Sequence, residues 1–297
     1  MTMQSRDTEQ IPTLTRAAAV QLLQRLKRRP DSYKNDYGRV LVMAGSVGMA
    51  GAAVLCSRAA LRTGSGLVRC CVPAEIRSIL QVAVPEATCL PRSREALEAP
   101  AEAIAAGPGL GDHREDAPLL QHLLQEYGGT LVLDADGLND ITRFGLAAAL
   151  RQARPEVVLT PHPGEAARLL GRERIDDRRE AAAELAARTQ ATVVMKGHET
   201  LILAPGGQIC CNRETGNPGM ATGGSGDVLT GIIASLAGQG LPAYDAARAG
   251  VYLHGLAGDL CAAQTGEAGL IAGDLCPAVP QALRRLIEDP AGEIEEN

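Results

Sequence analysis

From residue 40 onward the chain alternates short apolar runs with longer Ala/Leu-rich helical segments. The runs occupy residues 40–44, 67–72, 103–106, 130–134, 157–160, 192–195 and 201–203. Each is short and bounded by turn-forming residues, so each predicts a strand. Strand, loop and helix in repeated order predict an α/β fold with a mostly parallel sheet and helices on both faces. Ahead of this series, Thr15 is placed to cap a helix carrying Leu22, Leu23 and Leu26, which ends in the basic run 27–29 before Pro30. The uncharged stretch 40–57 is broken by Gly45, Gly48 and Gly51, and reads as strand, turn and helix start rather than as a membrane span.

Several runs end in residues that can do chemistry: Gly45, Gly107, Asp134, Pro161 with His162, and Lys196 with Gly197. Ligands in open α/β sheets bind beyond the carboxyl ends of strands, so these loops should share one edge. No abrupt shift of composition and no Pro/Ser linker interrupts the chain, which predicts one domain over residues 1–297, with 1–14 and 290–297 as frayed tails.

Composition narrows the ligands. The 297 residues carry 35 acidic and 29 basic groups, a net charge of −6, with five Tyr, one Phe and no Trp. A nucleic-acid binder would need a basic stripe and stacking rings, and neither is present. The 33 glycines, about 11% against a usual roughly 7%, are clustered, which marks places where backbone approaches something closely. Eight cysteines include no C-x-x-C. Cys70 with Cys71 and Cys210 with Cys211 are neighbours that would point to opposite faces of a strand and so cannot share a metal. They are expected to be reduced core thiols, and with no apolar leader in residues 1–12 the expected location is the cytoplasm.

The strongest local signal is residues 217–227, Asn-Pro-Gly-Met-Ala-Thr-Gly-Gly-Ser-Gly-Asp, followed by the helical apolar pattern Val228, Leu229, Ile232, Ile233, Leu236. A glycine-rich loop feeding a helix N-terminus presents free N–H groups and a positive dipole end, which together hold a phosphate. Asp227 in the first turn could take a proton from a hydroxyl attacking phosphorus; otherwise it is an ordinary helix N-terminal charge. No G-x-x-x-x-G-K-[ST] occurs, so the cradle is not a P-loop. The stretch Gly107-Pro108-Gly109-Leu110-Gly111 lacks the dinucleotide fingerprint spacing, but suits a loop where a ligand touches backbone. Thr160-Pro161-His162-Pro163-Gly164-Glu165 sets a histidine and a carboxylate on a stiff loop, with Pro163 starting a helix. Lys196-Gly197-His198-Glu199-Thr200 occupies a hairpin position and is either a nucleotide contact or a plain turn. Asp134 and Asp136, with Asn139 beyond them, suit Mg²⁺, a substrate hydroxyl or the capping of the next helix.

Taken in order, Asp36-Tyr37-Gly38-Arg39, residues 107–111, 133–139, 160–165, 196–200 and 217–227 resemble the ADP/ATP-dependent NAD(P)H-hydrate dehydratases, over roughly residues 36–286. Lys34, Asn35 and Asp36 depart from the usual entry loop. The resemblance implies a ribokinase-like three-layer sandwich and dehydration of (6S)-NAD(P)HX to NAD(P)H, with ADP, or else ATP, as phosphoryl donor, and Mg²⁺. It implies Asp227 as the base and Gly223, Gly224, Ser225 and Gly226 as the anion hole. Ala44, Gly109, His162, Pro163, Gly164, Glu165, Arg168 and Asp227 would face NADHX or NADPHX. Lys196, Gly197, His198, Glu199, Thr200, Asn217 and Gly226 would hold the adenine nucleotide. It further implies a homo-oligomer working with a separate epimerase, since the dehydratase pattern fills the chain. Two other readings use the same cradle: a ribokinase-like vitamin or sugar kinase, and a nucleotide-binding regulator without turnover.

Overall fold

The computed structural model describes residues 11–289. Nine strands form one sheet: β1 (Arg39–Met43), β2 (Leu67–Val72), β3 (Thr88–Pro91), β4 (Ala103–Ala106), β5 (Thr130–Leu133), β6 (Glu156–Leu159), β7 (Thr192–Met195), β8 (Thr200–Leu203) and β9 (Ile209–Asn212). Their spatial order is β3-β2-β1-β4-β5-β6-β7-β8-β9, parallel through β7 and antiparallel for β8 and β9. The helices are α1 (Arg16–Leu23), α2 (Ala50–Arg62), α3 (Ala74–Ala83), α4 (Arg94–Leu97), α5 (Asp116–Glu126), α6 (Asp136–Arg143), α7 (Ala147–Arg151), α8 (Pro163–Leu170), α9 (Arg178–Thr189), α10 (Ser225–Gly238), α11 (Ala243–Thr265) and α12 (Ala272–Ile287).

Alternation along the strands splits the core in two, as the two-residue period of a strand requires. Val40, Val42, Cys70, Ala105, Val132 and Val194 face a layer holding α2, α10, α11 and α12. Leu41, Met43, Cys71, Ile104, Leu133 and Met195 face the layer of α5, α6, α8 and α9. The two adjacent cysteine pairs obey the same rule, one thiol to each layer, and all eight cysteines are free. Burial raises the Cys70 thiol to about 12, an inert state. No described helix is long and apolar enough to cross a membrane.

Residues 1–10 and 290–297, the greater part of the predicted tails, lie outside the described residues. Residues 11–14, expected to fray with them, instead lie along the sheet edge. Leu14 N donates to Cys211 O at 2.8 Å, and Cys211 N donates to Pro12 O at 2.9 Å. Strand β9 would otherwise present unpaired backbone groups, and the pairing also buries Leu14 completely.

Helix α10 crosses the middle of the sheet against α2, and Gly231 is what lets the two approach. A Cβ there would run into the Cys56 carbonyl oxygen and stand 2.9 Å from Ala59 Cβ. Backbone cannot rotate away as a side chain can, so Gly231→Ala forces the helices apart. It should cost about 2 kcal/mol despite alanine's better helix propensity. Gly51→Ala, facing open space on α2, should instead stabilise by about 0.5–1 kcal/mol. Paired urea titrations of the two variants check both signs.

Candidate active site

The strand-end loops do share one edge, and hydrogen bonds stitch them into a row. After β1, Gly45 N donates to Pro108 O at 2.8 Å, and Ser46 Oγ donates to Gly109 O at 3.0 Å. Buried Arg92 reaches the Ala44 carbonyl at 3.0 Å and pairs with Asp116 at 3.1 Å, fixing the turn that carries Ala44. A side chain at Gly109 would collide with Ala52 and Met49, so backbone forms the surface there.

After β5, Asp134 and Asp136 bond to different protein partners. Asp136 accepts from Gly111 N at 2.8 Å, tying the β4 loop to α6. Asp134, 1% exposed, accepts from Lys196 Nζ at 2.6 Å and from Thr230 Oγ1 at 2.9 Å. Between them Ala135 sits at φ +49°, ψ −119°, a conformation that costs a non-glycine residue about 1–3 kcal/mol. Asn139 accepts from Arg168 Nε at 2.8 Å, joining α6 to α8.

The β6 loop opens α8 with an unusual cap. His162 Nδ1 accepts from Gly164 N at 3.0 Å and, at a longer 3.4 Å, from Glu165 N, while Glu165 Oε2 accepts from His162 N at 2.7 Å. Pro163 is the first helical residue, its fixed φ suited to that position. His162 is exposed with Nδ1 engaged, and its Nε2 lies 3.5 Å from Glu165 Oε1. Glu165 also lies 3.7 Å from Lys196 Nζ, so the lysine bridges two carboxylates. Burial would lower the Lys196 pKa, but Asp134 and Glu165 raise it above its ordinary value. Burial would likewise raise Asp134, yet the Lys196 ammonium holds it below the ordinary carboxylate range.

Lys196 begins the turn between β7 and β8. Arg178, at the start of α9, holds this turn by donating to the carbonyls of His198 at 2.6 Å, Glu199 at 3.0 Å and Met195 at 3.2 Å. Thr200 Oγ1 donates to Gly197 O at 3.0 Å, and Gly197, at φ +145°, leaves space for the Arg178 guanidinium. His198 and Glu199 are exposed.

The glycine-rich loop meets this row at Gly226. A Cβ there would stand 3.2 Å from Lys196 Nζ and 3.4 Å from Asp134 Oδ2, so the buried ion pair lies under the first turn of α10. At the loop's entry, Asn217 Oδ1 accepts from Gly219 N at 3.0 Å and its amide donates to Asp259 Oδ1 at 2.9 Å. The N–H groups of Gly223, Gly224, Gly226 and Asp227 meet no protein acceptor among the described residues. Ser225 departs from its expected place among these donors. Its N–H turns to Thr222 O at 3.3 Å, and its hydroxyl lies 3.3 Å from His254 Nε2. Four free donors at the positive end of a fourteen-residue helix form an anion cradle.

Asp227, partly open to solvent, stands in that first turn. Burial and then the negative charge of Asp134 push its carboxyl up to about 7, with Lys196 opposing. A carboxylate with a pKa near neutrality beside an anion cradle is suited to accept a proton from a hydroxyl attacking phosphorus. The described residues contain no group of three or more His, Cys, Asp or Glu able to hold a metal, and the Asp134 carboxylate under the cradle is committed to Lys196. The donor set therefore does not fit a resident metal cage; Mg²⁺ suits this site only as part of a nucleotide substrate, keeping its waters. Thr230, Arg178, Asp259 and His254 complete the site and carry no motif. Thr230 and His254 lie inside apolar helical patterns, and Arg178 and Asp259 read as surface charges.

Comparison with known proteins identifies the family. The family described as NAD(P)H-hydrate dehydratase matches residues 40–281. A bifunctional NAD(P)H-hydrate repair enzyme of Moorella thermoacetica is 44% identical over 280 residues, 89% of this chain and 52% of that one, so the chain spans about half of that relative's length. An ADP-dependent (S)-NAD(P)H-hydrate dehydratase of Neisseria meningitidis is 41% identical over 84% of this chain and 86% of its own. Among solved structures, an ADP/ATP-dependent NAD(P)H-hydrate dehydratase of Bacillus subtilis, co-crystallised with ATP/Mg²⁺, superimposes with a TM-score of 0.82 at 31% identity, covering 94% of this chain and all of that one. The ribokinase-like sandwich, the ordered loops and these matches place the chain in one family: it belongs to the NAD(P)H-hydrate dehydratases.

Proposed function

We propose that this protein restores NAD(P)H from the S epimer of its hydrate, with ADP as phosphoryl donor and AMP and phosphate as products. The observation that carries the reading is Asp227, a carboxyl with a pKa of about 7, in the helix turn that supplies the free N–H groups. As the C6 hydroxyl oxygen attacks the terminal phosphorus of ADP, Asp227 takes its proton and AMP departs. The N–H groups of Gly223, Gly224 and Gly226 carry the charge of the transferring phosphoryl group. Phosphorylation converts hydroxide, a poor leaving group, into phosphate. The ring nitrogen's electron pair then expels the phosphate, and loss of the C5 proton restores the dihydronicotinamide.

Mg²⁺ enters with the nucleotide and supplies countercharge to its phosphates. Lys196, the turn through Gly197, His198, Glu199 and Thr200, and Asn217 take the adenine nucleotide. Ala44, Gly109 and the α8 start at His162, Pro163, Gly164, Glu165 and Arg168 face the hydrated dinucleotide. With no Trp and a single Phe in the chain, the bases rest on aliphatic side chains and glycine backbone. Residues 1–297 act as a single dehydratase unit, a reading supported by one sheet running through residues 39–212. It works in the cytoplasm as a homo-oligomer alongside an epimerase activity. The eight free thiols support the compartment, and exposed Ile79 and Val82 on α3 support a subunit contact.

The test is direct. Purified protein, NADHX and Mg²⁺ with ADP or ATP are followed by the near-ultraviolet absorbance of reduced nicotinamide. Recovery is expected with ADP. No recovery with either nucleotide overturns the reading, and accumulation of a stable phosphorylated alcohol from another substrate would favour the kinase alternative.

A further inference from the structure

His254 lies on α11, outside every group assigned to a ligand, and faces the first residue of α10. Its Nε2 is 3.3 Å from Ser225 Oγ, and both residues are buried. Burial lowers the imidazole to about 4, so it is neutral at neutral pH. A serine hydroxyl in the first turn of a helix can rotate onto a nearby backbone N–H two residues on, here that of Asp227. In this loop that hydroxyl would occupy a donor an anion needs.

The rest of the loop is seated on the same helix. Thr215 Oγ1 donates to Tyr252 O at 3.1 Å, and Asp259 accepts from Gly216 N at 2.9 Å. Gly255 and Gly258 lack side chains where Thr215 and Met220 pack. Helix α11 therefore shapes the loop from its entry at Thr215 to its exit at Ser225.

We propose that His254 is a positioning residue which draws the Ser225 hydroxyl into the interior and so keeps the N–H groups of the cradle open for phosphate. The proposal rests on the phosphoryl-transfer reading above. It makes a prediction that a packing role would not: removing the hydroxyl should repair the loss of the imidazole. His254→Phe keeps a planar ring without nitrogen and should lower kcat about tenfold, because a rotated hydroxyl competes with the phosphoryl group. Ser225→Ala should cost less than that, and the double variant should return to the Ser225→Ala rate.

A double variant no faster than His254→Phe overturns the proposal, as does a His254→Phe enzyme with unchanged kcat. His254→Leu takes the same place in the cycle should the Phe variant not fold. If the parent enzyme does not convert NADHX at all, the dehydratase reading fails. The same cycle is then read by calorimetric binding of Mg-ADP: tenfold weakening repaired by Ser225→Ala supports the open-cradle role, and weakening without repair overturns it.

Discussion

Asp227→Asn is expected to lower kcat by about 10²- to 10⁴-fold, the usual range for removing a general base, with little change in KM for the hydrated dinucleotide. The pH dependence gives the sharper check. The carboxyl titrates at about 7 and must be ionised to accept a proton. In the parent enzyme kcat/KM should therefore fall as pH drops below about 7 and reach a plateau above it, and this acid limb should vanish in the Asn variant. Stability should move the opposite way. A carboxyl raised from its ordinary 3.8 to about 7 holds its proton more tightly in the folded than in the unfolded chain, so the parent loses stability as pH rises across that window. Above neutrality Asp227→Asn should be the more stable protein by urea denaturation, and below the window the two should converge. Equal midpoints at every pH would mean that the carboxyl is not raised. The residue is thus held at a cost to the fold, as a site built for chemistry permits.

Lys196→Met should cost about 3–5 kcal/mol of stability, because it leaves the Asp134 carboxylate buried without its cation. Asp134 responds by taking up a proton, so the loss should be greater at neutral pH than in acid. Adding Asp134→Asn should recover most of it, since Thr230 Oγ1 and a neutral amide can still pair. The same substitutions bear on the acid limb set by Asp227. Removing the Asp134 charge alone moves it to lower pH, whereas in Lys196→Met the proton on Asp134 removes that charge as well, so this variant and the double should both stand near the parent. Urea midpoints and kcat/KM against pH, measured on the two single variants and the pair, test both halves. Additive stability losses would show that Lys196 and Asp134 are not one unit.

The sandwich was legible because its central strands are buried on both faces and so read as apolar runs. Those predicted at 67–72, 103–106 and 192–195 fall where β2, β4 and β7 lie. Strand β3 escaped because Thr-Cys-Leu-Pro is a half-exposed edge with no apolar run, and β9 because only Cys210 and Cys211 mark its buried middle. In the site, what lies close in sequence was readable: Pro163 at the start of α8, and the glycines before α10. What was not readable is pairing at long range. Asp134 meets Lys196 across 62 residues and Thr230 across 96, and no periodicity announces either partner. The two aspartates two residues apart suited a shared ligand or the capping of the next helix, and the inverted backbone at Ala135 gives them different protein neighbours.

Those same separations bear on how the protein comes into being. Asp134, Lys196 and α10 leave the ribosome in that order, and each closes a long loop, which makes assembly slow in a mainly parallel sheet. Until α10 settles beside α2 on the sheet, Asp134 lacks its Thr230 partner and the cradle does not exist. Helix α10 therefore both fills one core layer and delivers Asp227, so a chain in which that layer has not formed has no cradle.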